Sequence, residues 1–100
     1  MNKIISVMVT LYLILSIFQF RNSDELFVHF IDVGQGDSIL VQAPGGYNVL
    51  VDGGEGNDVL IGLGRLLPPW DRRIDLMVLT HPHLDHLGGL IEVLDRYEVK

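Results

Sequence analysis

From Ile4 to Phe20 the chain reads IISVMVTLYLILSIFQF, seventeen residues without a charge. As a helix such a run spans ~25 Å at 1.5 Å per residue, against a hydrocarbon core of ~30 Å. A core helix at a domain edge keeps a polar stripe, and this run has only scattered Ser, Thr and Gln. Residues 1–21 therefore read as a signal or anchor segment. No small-x-small cleavage site comes after it, since the exit is Phe18-Gln19-Phe20-Arg21-Asn22-Ser23, and this favours an uncleaved anchor. Lys3 and the amino terminus favour a cytoplasmic start. The rest of the chain is then extracytoplasmic, membrane-anchored or secreted, in a bacterial cell envelope. Under eighty of the 100 residues remain to fold. A chain of ~80 residues draws only a few kcal/mol from one core, so the sequence holds one domain at most and that domain reads as C-terminally incomplete.

After a polar linker at residues 22–25, the pattern alternates between strand and helix chemistry. Leu26 to Val33 is rich in aromatic and β-branched residues and reads as a strand. Gly34-Gln35-Gly36-Asp37 is turn chemistry. Ser38 to Gln42 and Tyr47 to Val51 are two more strands, separated by Ala43-Pro44-Gly45-Gly46 and closed by Asp52-Gly53-Gly54. Three short strands with tight turns predict an antiparallel meander. Asn57 or Asp58 can cap a helix to about Leu67, which Pro68-Pro69 stops. Ile74 to Thr80 predicts a fully apolar strand covered on both faces. Gly89 to Arg96 predicts a second helix, and Glu98 begins another strand. The fold class is α/β, and a strand buried on both sides demands more layers than these residues supply.

The informative run is Thr80-His81-Pro82-His83-Leu84-Asp85-His86-Leu87-Gly88-Gly89. It holds three of the four histidines of the chain within six positions, plus a carboxylate. Imidazole nitrogen and carboxylate oxygen suit zinc, and also manganese or iron. His81 and His83, two apart in an extended loop, point the same way and can grip one ion. Asp85 and His86 fall on the next bend and can serve a second. Gly88 and Gly89 let the backbone turn into the helix, whose N-terminus suits an anionic substrate. A surface loop that merely happens to hold histidines explains one of them, not four potential ligands in six positions.

His-x-His-x-Asp-His after an apolar strand resembles the signature of the metallo-β-lactamase superfamily. The resemblance implies a four-layer αβ/βα fold, of which residues 26–100 would be the N-terminal half. It implies two divalent ions, zinc or alternatively manganese, with His81 and His83 on one and Asp85 and His86 on the other. It implies a metallohydrolase whose nucleophile is a metal-bound hydroxide, with Asp85 as the catalytic carboxylate. Asp52-Gly53-Gly54 is similar to the Asp-x-Gly strand end of the family, where the Asp orients the metal-binding loop. Phe30 to Leu40, reading FIDVGQGDSIL, looks like the opening of the soluble domain of competence proteins of the ComEC/Rec2 type and their stand-alone relatives. The family also uses a further His, a metal-bridging Asp and a last His, and these would lie later in a longer chain.

The resemblance points to phosphodiester or DNA-like substrates. The alternatives are another ester or lactam in the same fold, or a metal-binding or assembly domain without turnover. Charge does not support DNA by itself. All thirteen acidic residues lie after Ser23 against five basic ones, a net charge of −8 for that part, so any phosphate would need the metals for positive charge. There are no cysteines, which removes disulfides and thiol catalysis. His29 reads as a core or sheet-face histidine, Asp32 and Asp37 as turn acceptors, with Asp37 alternatively lining the rim of the site, Trp70 as packing, and Arg72 and Arg73 as solvated.

Overall fold

The computed structural model describes the backbone of residues 2–21 and 24–100. Met1 and the Asn22 and Ser23 of the linker lie outside the described residues. The apolar run forms helix α1 (Asn2–Arg21), and its large apolar side chains from Ile4 to Leu15 are more than half exposed. Among the described residues no helix is long and apolar enough to cross a membrane.

The meander forms as β1 (Phe27–Phe30), β2 (Ile39–Ala43) and β3 (Tyr47–Val51), paired antiparallel with His29 opposite Leu40 and Leu40 opposite Leu50. Helix α2 (Asp58–Leu66) then carries the chain across to β4 (Arg73–Ile74) and β5 (Leu76–Val78), and β5 pairs parallel with β3. Such a parallel pair needs a crossover, which α2 provides. Helix α3 (Leu84–Arg96) and β6 (Glu98–Val99) complete the described elements. The main sheet has the order β1-β2-β3-β5, and β4 pairs with β6 in a second, two-stranded sheet.

The run expected as one strand from Ile74 to Thr80 is split by its one charged residue. Asp75 accepts the Asn48 backbone N–H at 2.8 Å and donates its own N–H to the Asn48 carbonyl at 2.8 Å. Its other carboxylate oxygen takes the Arg73 Nε at 2.7 Å. Arg72 and Arg73 are both exposed, as expected, with Arg73 also ion-paired and Arg72 lying over the Tyr97 ring. The expectation that both faces of this run are covered holds only for Ile74, which is fully buried. Leu76 is 52% and Leu79 40% exposed, because Leu76 points to the uncovered face of the main sheet and Leu79 lies past the end of β5. Trp70, expected to pack, is 58% exposed beyond the two prolines.

One face of the main sheet is covered and the other is not. Side chains alternate faces along a strand, so Leu40 and Leu50 share a face and meet Val59 and Leu63 of α2 and Leu90 and Val93 of α3 in the core. Leu40, Leu50, Val59, Leu63, Ile74 and Val93 have essentially no exposed surface. Burial of each such side chain contributes roughly 1.5–3 kcal/mol. The opposite face carries Val28, Phe30, Ile39, Val41, Ala43, Tyr47, Val49, Val51, Leu76 and Val78. None is charged, all but Tyr47 are apolar, and none is buried, with Phe30 80% exposed.

Glycines set how closely the helices approach. Gly62 of α2 leaves room for Ile31, whose Cγ2 lies 2.3 Å from where a Cβ would stand. Gly88 and Gly89 do not turn the chain into a helix, as the sequence suggests. They lie inside α3, which begins five residues earlier than expected. A Cβ on Gly88 would stand 1.9 Å from the Glu55 carbonyl oxygen, and one on Gly89 1.7 Å from that of Gly53. Their missing side chains let α3 rest directly on the backbone after β3, where Gly89 N–H reaches the Gly54 carbonyl at 2.9 Å.

These contacts separate two glycine substitutions that helix propensity alone would treat alike. Gly64→Ala in α2 has no atom within 4 Å of the new methyl, so it should stabilise the complete protein by ~0.5–1 kcal/mol. Gly89→Ala should destabilise it by ~1–3 kcal/mol or more despite the same gain in helix propensity. Urea midpoints of the two variants against the parent would measure this, and equal midpoints would refute the close helix seat.

Candidate metal centre

The site is built at one end of the covered face of the sheet. β3 ends at Val51, and the next residue, Asp52, has a positive φ of 59°. Asp and Asn are the residues other than glycine that tolerate this region best. The turn is held by backbone bonds on both sides: Asp52 N–H to the Val78 carbonyl at 2.8 Å and Gly53 N–H to the His86 carbonyl at 2.8 Å. The buried Ser38 hydroxyl donates to the Asp52 carbonyl at 2.9 Å. The Asp52 side chain is thereby aimed at the segment that comes after β5.

That side chain is 5% exposed and its carboxylate is fully used. Oδ1 accepts the Thr80 backbone N–H at 2.8 Å, and Oδ2 accepts the Thr80 hydroxyl at 2.5 Å. Oδ2 also lies 2.9 Å from His86 Nδ1. Burial alone would push the Asp52 carboxyl up, but the Thr80 hydroxyl, the Thr80 amide and His86 together hold it below its ordinary value. The same hydrogen bond pushes the His86 imidazole up, with burial opposing it and the charges of Asp85, Asp52 and Asp37 assisting.

The structure brings the residues expected at the site to one end of α3. His81 and His83 stand exposed in the loop, with ring centroids 6.4 Å apart. His86 faces His81 with centroids 5.1 Å apart. Asp85 and His86 sit in the first turn of α3 and not on a bend before it, because His83 already occupies the N-cap position and Leu87 N–H bonds its carbonyl. Asp85 Oδ1 lies 3.7 Å from His86 Nε2. Among the described residues, no three His, Asp or Glu side chains converge as a closed metal cage. The donor set nonetheless fits divalent ions: imidazoles beside a carboxylate, with His86 held through Nδ1 by a carboxylate so that Nε2 is left for coordination.

Three contributors escape sequence reasoning. Thr80 bridges Asp52 to His81 Nδ1, the latter at 3.1 Å; its place immediately before the first histidine is the one signal that could have found it. Ser38 locks the Asp52 backbone from a distant strand, and nothing local announces it. The Gly36 turn lies against the Asp85 backbone, where a Cβ would stand 1.9 Å from the Asp85 carbonyl oxygen. Asp37 of that turn is close enough to raise His86, while its carbonyl accepts the Gly54 N–H at 3.0 Å. Asp32 behaves as a turn acceptor, taking the Gly34 N–H at 3.1 Å. His29 is half-buried on the sheet and bonds Gln42 at 2.7 Å, away from the other histidines.

Asp52→Asn should separate charge from shape. Asn adopts the same backbone region but offers one acceptor oxygen where the aspartate offers two. Either the Thr80 backbone N–H loses its acceptor, or the Thr80 hydroxyl and His86 Nδ1, which share Oδ2, both lose theirs, at a cost of ~1–3 kcal/mol for each group left unpaired. Zinc affinity of the complete protein, measured by chelator competition, should fall ~10–100-fold while the circular dichroism spectrum is retained. Unchanged affinity would show that Asp52 only shapes the turn.

Comparison with known proteins agrees with this geometry. Residues 31–100 match the metallo-β-lactamase superfamily. The chain is 45% identical over 53 residues to a hydroxyacylglutathione hydrolase of Serratia proteamaculans (strain 568), covering 52% of this chain and 19% of that protein. It is 44% identical over 57 residues to the anti-Pycsar protein Apyc1 of Bacillus phage 010DV004, covering 57% of this chain and 21% of that protein. The matches thus span about a fifth of the length of either relative. With the strand end, the loop and the helix of the site all inside the matched residues, the chain belongs to the metallo-β-lactamase superfamily.

Proposed function

We propose that this chain carries the first part of a dinuclear metallohydrolase centre acting on phosphodiester or DNA-like substrates. The observation that supports it most directly is the Asp52 carboxylate binding Thr80 and His86 together at the foot of the His81–His86 run. His81 and His83 would hold one divalent ion, and Asp85 and His86 the other, zinc or alternatively manganese. When bound, such ions lower the pKa of water and stabilise developing negative charge. The residues of this chain supply the rest: Asp52 fixes the orientation of His86, and α3 points its N-terminus toward an anionic group. Asp85, 38% exposed at its side chain, would be the catalytic carboxylate.

The phosphodiester preference rests on the likeness of residues 30–40 to the competence proteins of the ComEC type. A four-layer αβ/βα arrangement would cover the apolar face of the main sheet with a second sheet. The exposed apolar α1 supports a targeting or anchoring role, with the domain outside the cytoplasm. A second reading has its own support: the identity with a hydroxyacylglutathione hydrolase favours an ester substrate. A metal-binding domain without turnover is the third.

One variant and two substrates distinguish them. In the complete protein, His83→Ala should lower metal content by mass spectrometry and reduce hydrolysis by at least ~100-fold, the scale of losing a metal's help. A bis-(nitrophenyl) phosphate turned over faster than a hydroxyacylglutathione supports the phosphodiester reading, and the reverse order supports the ester. Normal metal content and normal rate in the variant would refute the loop as the metal centre.

A further inference from the structure

We propose that Thr80 is a positioning residue whose single hydroxyl proton sets the tautomer of His81, so that His81 and His86 both present an unprotonated Nε2 to the site. The proposal rests on the metal-binding reading above and concerns how the protein prepares for the ion.

The argument is a proton count. A threonine hydroxyl has one hydrogen to give and two lone pairs to accept with. Thr80 Oγ1 has two polar neighbours, Asp52 Oδ2 at 2.5 Å and His81 Nδ1 at 3.1 Å. An ionised carboxylate can only accept, so the hydroxyl proton goes to Asp52. The hydroxyl oxygen is then left to accept, and His81 must bring the proton on Nδ1. Its Nε2 keeps a free lone pair. His86 reaches the same state directly, since its Nδ1 faces Asp52 Oδ2 at 2.9 Å. One buried carboxylate therefore dictates two imidazole tautomers, the nearer by contact and the farther through Thr80. Which ring nitrogen is available to a metal is set by the bond the other one makes. His81 is otherwise exposed and would be free to protonate either nitrogen.

Thr80 also ties this device to the fold. Its backbone N–H bonds Asp52 Oδ1, so the hydroxyl cannot leave without the strand end. Thr80→Val keeps the shape and that backbone bond and removes only the hydroxyl. Thr80→Ser keeps the hydroxyl.

The test is a two-bond proton–nitrogen correlation on the complete, metal-free protein, labelled at histidine nitrogen and held at alkaline pH. The wild-type spectrum should show His81 and His86 both protonated on Nδ1. Thr80→Val should move the His81 proton to Nε2, leave His86 unchanged, and weaken zinc binding ~10-fold. Thr80→Ser should restore both. A wild-type His81 protonated on Nε2 overturns the proposal, and this needs no variant to fold. So does a Thr80→Val protein in which His81 is unaltered, or in which His81 and His86 shift together, as a collapsed loop would show. If the wild type has the stated tautomers but binds no zinc, the metal reading fails while the tautomer assignment stands.

Discussion

A single buried carboxylate in a left-handed turn organises this molecule. Asp52 ends β3, receives Thr80 from the end of β5, and receives His86 from the first turn of α3. The end of β3 is thereby joined through two oxygen atoms to residues 28 and 34 positions later in the chain. Burying a charge is costly unless every lone pair is satisfied, and here each oxygen has a donor and no buried side-chain polar atom among the described residues lacks a partner. The arrangement is stable only as a set: the αL backbone aims the carboxylate, the glycines after it admit α3, and α3 delivers the imidazole.

The close seat of α3 is what makes the set possible. With side chains at Gly53, Gly88 or Gly89, the helix would have to retreat from the strand end, and His86 would leave hydrogen-bond range of Asp52. Helix and turn instead meet backbone to backbone, with bonds in both directions, Gly53 N–H to His86 and Gly89 N–H to Gly54. The geometry of the candidate centre is therefore decided as much by absent side chains as by the histidines.

Much of this is legible in the residues. The meander follows from alternating β-branched strands between glycine-rich turns, and the expected and observed ranges of β3 coincide to the residue. The loop stands out because metal-type ligands are rare at such density. Two features mislead because a local rule competes with a tertiary one. Gly88 and Gly89 look like a helix start by conformational preference, yet they are interior packing positions. Asp75 looks like a minor blemish in an apolar strand, yet its bonds to Asn48 and Arg73 divide that strand between two sheets. Thr80 and Ser38 act through partners 28 and 14 residues away, and no pattern in a single sequence carries such pairings.

The bare face of the main sheet bears on how the protein behaves in solution. Its net charge is strongly negative, and repulsion of that kind ordinarily keeps molecules apart. Yet that repulsion fades over ~8 Å at physiological ionic strength, and the strand positions facing outward from β1, β2, β3 and β5 carry no charge at all. An apolar sheet surface with a free edge strand is a template for sticking to its like. Colloidal stability is thus governed by whether Val28, Phe30 and Leu76 meet water or a cover, and the acidic residues elsewhere cannot substitute for one.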